Sequence, residues 1–201
     1  MANVALGGFR WVKSRNGSQK QPNVEILPVA SGYSTAICRG DALKRVSDGT
    51  VAVATAGNSV DFICDGVEQY VSAGVLTKGN RVPASVTFTP STVGSPNETR
   101  IRCIPVRGGV FEVDCDTAVA DIAAAQTLVG NNADHVATAG SSTTGRSGHV
   151  LNTASGTGTA TATFRITEVS KRLDNDVASA NWKVFVIANE SNEPEMTATG
   201  V

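Results

Sequence analysis

No apolar stretch in this chain is long. Instead, short runs of alternating or near-continuous apolar residues follow one another, each closed by Gly, Asp, Asn or Pro. Residues 24–29 alternate and are bounded by Pro22 and Pro28. Residues 42–46 and 51–54 flank Ser47-Asp48-Gly49-Thr50, and Asp-Gly between two apolar runs is a strong hairpin signal. Residues 61–71, 82–89, 100–106 and 110–115 continue the series, separated by the turn-rich 90–97 stretch and by Gly108-Gly109. Residues 159–169 and 182–188 complete it, on either side of Asp174-Asn175-Asp176. A short strand or bridge is expected at His135-Val136. Many short strands with regular turn signals indicate a sandwich or barrel. One segment departs from this period: Ala118, Ile122, Ala125 and Val129 share a helix-like face, with Asp116 or Thr117 as cap and Gly130 as stop. The expected fold is therefore all-β, a mainly antiparallel barrel or sandwich, with one short helix within residues 116–129.

The ends read differently from the middle. Residues 1–23 show no sustained periodicity and carry Gly7, Gly8, Gly17 and Pro22. Their large apolar side chains are Phe9, Trp11 and Val12. Phe9 and Trp11 are two apart, so in an extended segment they point the same way. They either dock an N-terminal arm on a partner or cap the edge of the chain's own core. Arg10, Lys13 and Arg15 belong to the densest basic stretch, which ends at Lys20. This divides the chain into an extended arm (1–23), a β-rich core (24–190) and a polar tail (191–201).

Composition narrows the function classes. Of 201 residues, 41% are hydrophobic but only 5% aromatic, so Ala and Val supply most of the apolar content. Charged residues are 17%, below the usual share for a soluble domain, which points to surface covered by partners. With a formal net charge of −1 and no basic patch, neither nucleic acid nor an anionic membrane is an expected partner. No apolar run approaches membrane-spanning length, no leader pattern is visible, and synthesis in a cytosol is expected. Cys38, Cys64, Cys103 and Cys115 lack zinc-ribbon or redox spacing and sit beside apolar residues. They read as buried thiols, with disulfide pairing as the alternative.

No catalytic set emerges. His135 and His149 lie in or near polar, Gly/Ser-rich sequence, and no nucleophile-elbow motif accompanies them. Asp114, Asp116 and Asp121 lack the ligand spacing of a calcium loop. Gly145-Arg146-Ser147-Gly148 has the flexibility to cradle an anion, but such short motifs are common. Arg39-Gly40-Asp41 matches an adhesion tripeptide, yet here it reads as a tight turn into a strand. No catalytic residue, metal ligand or cofactor is assigned. A carbohydrate-binding module would want more exposed aromatics than two Trp and two Tyr provide.

The segment Ser34-Thr-Ala-Ile-Cys-Arg-Gly-Asp-Ala-Leu-Lys-Arg-Val-Ser-Asp-Gly-Thr-Val-Ala-Val-Ala54 resembles the opening β-segment of tailed-bacteriophage capsid decoration, or cement, proteins. Gly-Phe9-Arg10 near the start is similar to their N-terminal arm. Residues 126–134, Thr144-Gly-Arg-Ser-Gly148 and the alternating Thr163-Phe-Arg-Ile-Thr-Glu-Val169 resemble their second half. The chain departs from that pattern at Cys64-Asp65, before Gly66-Val67, and in the long 140–158 loop. The resemblance implies a barrel or β-tulip-like domain on the outer surface of the assembled capsid, bridging major capsid protein subunits. It also implies a homotrimer at local three-fold axes, with a dimer as the lesser option. Phe9, Arg10, Trp11, Lys13 and Arg15 become the candidate capsid contacts, and removing residues 1–23 is expected to leave a folded core. Another virion β-protein, a head-fibre base or tail component, is the alternative.

Overall fold

The computed structural model describes residues 3–17, 21–72, 75–84, 92–154 and 162–189. The expected tail at 191–201, most of the strand expected at 82–89, and parts of the 140–158 loop and of the 159–169 run lie outside them. In chain order the strands are β1 (Arg10–Ser14), β2 (Glu25–Pro28), β3 (Ile37–Cys38), β4 (Ala42–Arg45), β5 (Val51–Val53), β6 (Phe62–Ser72), β7 (Val75–Gly79), β8 (Arg81–Val82), β9 (Arg100–Pro105), β10 (Gly109–Asp114), β11 (Asn132–Ala133), β12 (His135–Val136), β13 (Val150–Leu151), β14 (Phe164–Val169) and β15 (Lys183–Ala188), with helix α1 (Ile122–Thr127) between β10 and β11. The fold is all-β and mainly antiparallel.

One sheet curls into a small barrel. Its order is β2-β9-β6-β4-β5, each neighbour antiparallel. Around an odd number of strands, antiparallel pairing cannot continue across the last seam. The seam is indeed parallel: Val29, just after β2, bridges to Val51 at the start of β5. Alternation then sorts the side chains. Leu43, Val51, Phe62, Cys64, Val67, Ile101 and Cys103 belong to the inner core, with Ile37 and Val82 of the β3–β8 pair. Ala42, Ile63 and Ile104 point outward from the barrel wall into a second core.

That second core is closed by a five-stranded sheet of order β1-β10-β15-β14-β11. Phe111, Val113, Phe164, Ile166, Val184 and Val186 line its inner face, and Trp182 is fully buried beside them. The Trp182 indole N–H donates to Thr117 O at 2.7 Å, so the largest side chain here leaves no unpaired polar atom. Helix α1 is shorter than the apolar spacing implied. Its cap is Asp121, whose carboxylate accepts from Ala124 N at 2.8 Å, rather than Asp116 or Thr117. Asp116 instead accepts from the backbone and hydroxyl of Thr153. Gly130, at φ 92°, follows the helix as expected.

The first residues do not form an arm apart from the domain. Arg10–Ser14 pairs with β10 as the outermost strand of the five-stranded sheet. Phe9 is 4% exposed and stacks on Phe164 with ring centroids 4.6 Å apart. Upstream, Asn3 binds Asp176 O and Ala180 O, and Leu6 N donates to the Asp114 carboxylate at 2.6 Å. The chain then crosses under residues 40 and 147 with no space for side chains. A Cβ on Gly8 would lie 2.5 Å from Gly40 O, and one on Gly40 2.5 Å from Gly7 O, both at positive φ. Aromatics read as partner anchors thus divide: Phe9 caps the chain's own core.

All four cysteines are free and buried, which settles the choice left open by their spacing. Burial pushes Cys38 up to about 11 and Cys103 up to about 12, and holds Cys64 and Cys115 well above the ordinary thiol range. The thiolate is the reactive form. The folded protein is therefore expected to show no rapidly reacting thiol toward a disulfide reagent at pH 8, and four upon denaturation. A fast-reacting thiol in the native protein would contradict this packing.

Candidate functional site

Two places collect polar side chains: a buried cluster between the sheets and an open cleft along β1. The cluster forms where the turn at residues 38–41 meets the loop leading to β13. Cys38 N donates to the Asp41 carboxylate at 2.7 Å, while Asp41 N donates to Cys38 O. Asp41 is only 3% exposed, so Arg39-Gly40-Asp41 is a turn with its carboxylate turned inward, not an adhesion loop. Ser147 also hydrogen-bonds Asp41. His149 Nδ1 accepts from Ala42 N at 3.3 Å, which places the ring proton on Nε2, 3.6 Å from Asp41 Oδ1. His149 stacks on His135, whose Nε2 lies 2.9 Å from Ala54 O.

Serine, histidine and aspartate therefore meet here without forming a catalytic triad. A triad needs a ring nitrogen free to take the serine proton. The acceptor nitrogen of His149, Nδ1, already takes the Ala42 N–H, which leaves Nε2 carrying the proton, and Ser147 Oγ accepts from the backbone N of His149 at 2.9 Å. All three residues are buried. The cluster joins the 38–41 turn to the barrel wall.

Burial sets its protonation. It raises the Asp41 carboxyl to about 6, opposed by the hydrogen bonds from Cys38 N and Ser147. It lowers His149 to about 3, helped by neighbouring His135. A carboxyl held near 6 when folded and near 3.9 when unfolded stabilises fully below pH ~4, and that contribution is lost as pH rises through 6. An imidazole held near 3 when folded and near 6.5 when unfolded does the opposite: its contribution is full above ~6.5 and is lost as pH falls. The slopes oppose between about pH 4 and 6. Asp41→Asn removes the first. The stability of the variant relative to wild type is expected to rise with pH across this window, by up to about 1.4 kcal/mol per pH unit. Urea melts at several pH values measure it; a pH-independent difference would contradict the assignment.

The cleft lies where the two layers part. Phe9, Arg10 and Trp11 line one side, Gln21, Pro22 and Val24 another, and Arg39, Ile63, Asp65, Arg102 and Ile104 the barrel wall, around a volume of about 370 Å³. Its polar groups are mostly guanidinium. Asp65 is shared by Arg39 (3.2 Å) and Arg102 (3.0 Å). Arg10 reaches Glu112 only at 3.8 Å, and Glu112 is also 3.7 Å from Arg172. A smaller hollow continues the cleft past Arg10, Arg39 and Gly40 to Arg146. Arg10, Arg39, Arg102 and Arg146 bring four positive charges against two from Asp65 and Glu112, so the cleft is cationic.

Not all five candidate contacts share this place. Phe9 is buried, Arg10 is exposed, and the half-buried Trp11 lines the cleft while packing against the core between the layers. Lys13 and Arg15 instead line a separate hollow on the outer face of the sheet, with Val12, Val110, Phe185 and Ile187. The reason is a bulge. Pairing slips between Trp11 and Lys13, so Trp11 stands opposite inward-facing Phe111 while Lys13 stands opposite Val110. Sequence reasoning assigned Asp65 and Arg102 no site role, and it placed Arg39 in a turn and Arg146 in a flexible loop able to cradle an anion, without joining them to the aromatic residues of β1. The signal for Arg102 was present: Ile101 and Cys103 fill the barrel, so the residue between them must face out. Among the described residues no group of His, Cys, Asp or Glu is arranged to hold a metal ion. A second exposed feature is the β6–β7 hairpin, which carries Val75 and Leu76, 64% and 54% exposed. Compared with protein-family models, curated proteins and solved structures, the chain matches none of them.

Proposed function

We propose that this protein is a non-catalytic virion component that binds the outer surface of an assembled tailed-phage capsid and bridges neighbouring major capsid subunits. The observation that carries the binding part of this reading is the cationic cleft lined by half-buried Trp11, because aromatic and arginine side chains dominate interface energetics. The bridging part draws on a second surface of the same body, the hairpin with exposed Val75 and Leu76. Two contact surfaces on one rigid unit hold two neighbours together. The low charge content and the sequence resemblance to decoration proteins supply the identity of the partner. A homotrimer at local three-fold axes, and synthesis in the bacterial cytoplasm, belong to the same reading.

A bridging protein does its work through linkage. Whatever binds the assembled shell more tightly than free subunits stabilises the shell by mass action. DNA-filled heads carrying the protein are expected to keep their genome at temperatures where undecorated heads release it, as followed by a DNA-binding dye. Equal release temperatures with and without saturating protein would count against the reading.

A further inference from the structure

We infer that the cleft receives an extended, acidic polypeptide segment of a partner, which adds as a strand along the free edge of β1. This names the chemistry of the contact in the reading above and rests on it only for the identity of the partner. The sequence suggested an arm reaching out to dock on a partner; here the N-terminal segment stays on its own sheet and receives the partner's strand.

Three observations converge. First, β1 pairs only with β10 among the described strands; on its other edge Phe9 N donates to Gly40 O at 2.9 Å, and from there to Lys13 the backbone groups turned away from β10 meet no further partner among the described residues. An unpaired edge is a template for strand addition, where main-chain bonds supply affinity and alternate side chains supply specificity. Second, the cleft along this edge is lined by surplus guanidinium. Among the described residues Asp65 alone serves both Arg39 and Arg102, and Arg146 meets no carboxylate. Guanidinium groups favour planar, bidentate carboxylates. Alternate side chains of an added strand point to one face, so acidic residues at every second position would meet Arg39 and Arg102 together. Third, the half-buried Trp11 lines the cleft, a flat apolar wall backed by the core for the residues between the carboxylates.

The test uses the whole protein and needs no capsid. A fluorescein-labelled peptide of alternating Glu and Val is titrated with the protein, beside a Lys-Val counterpart and a Glu-Val peptide interrupted by Pro, which cannot continue a ladder. Expected is saturable, salt-weakened binding of the Glu-Val peptide, with the other two at least about tenfold weaker. The Arg39→Ala/Arg102→Ala double variant, checked for an unchanged melting temperature, is expected to lose at least about tenfold in affinity. Arg39→Lys/Arg102→Lys keeps the charge and controls for the geometry of the pair. Equal binding of the Lys-Val peptide, full binding by the alanine double variant, or no binding at millimolar peptide would overturn the inference. So would binding of tripolyphosphate or oligo-dT as tight as the peptide, since the cleft would then read charge alone. If heads bind the protein but the peptide does not, the inference fails while the capsid reading stands.

Discussion

Phe9→Ala is expected to lower the unfolding free energy by about 3–5 kcal/mol, the usual cost of truncating a buried aromatic. Phe9 is 4% exposed, stacks on Phe164 at 4.6 Å and meets the edge of the His135 ring. It sits beneath a crossing where glycine backbones already touch, so the surroundings have little freedom to close around a cavity. A urea melt of the full-length variant measures the effect. An unchanged midpoint would mean that the N-terminal residues do stand apart from the domain. The same geometry bears on truncation. Removing residues 1–23 strips a strand from the five-stranded sheet and a side chain from its core, so loss of binding by such a truncation would report unfolding and not a missing arm.

Asp114→Ala is expected to cost a similar about 3–5 kcal/mol, for an electrostatic reason. Lys183 and Asp114 side chains are 1% and 2% exposed, with Nζ 3.6 Å from Oδ1. The ammonium also donates to Asn181 O at 2.9 Å. Burial raises the Asp114 carboxyl above its ordinary range, while Leu6 N and Lys183 pull it down. Without Asp114 the ammonium is left without its carboxylate partner in a dry site, and Leu6 N loses its acceptor. Removing both charges is a different matter, because an apolar pair of similar volume is often neutral or stabilising. Asp114→Leu combined with Lys183→Met is therefore expected to recover most of the loss in a melt. If Asp114→Ala alone is as stable as wild type, the pair is not buried as described.

The β-rich core was legible because its signal is periodic and local. Ile101 and Cys103 alternate with Arg100 and Arg102, and the Asp48-Gly49 turn sits between β4 and β5. Both follow from the pleat and from turn chemistry, which depend on neighbours in sequence. What lay beyond the sequence depends on partners distant along the chain. β1 carries Arg10, Trp11, Val12 and Lys13 with no clean alternation, because a bulge interrupts it and only pairing with β10 makes it a strand. The parallel Val29–Val51 seam that closes the barrel has no local signature at all. The helix cap fell at Asp121 because Asp116 is occupied by Thr153, a residue far along the chain. The cleft shows the same division. Phe9, Arg10 and Trp11 were conspicuous as aromatic and basic residues in a sequence poor in both. Arg39, Asp65, Arg102 and Arg146 come from separate turns and strands, and only the packing of barrel against sheet brings them to one opening.

The measurement that tests the central claim most directly is co-sedimentation of the purified protein with undecorated expanded heads, alongside immature shells and free capsid subunits. The account predicts saturable binding to expanded heads alone, weakened by Arg39→Ala/Arg102→Ala at the cleft and by Val75→Ser/Leu76→Ser at the hairpin. Binding to none of the three forms would contradict it and direct attention to tail or fibre partners.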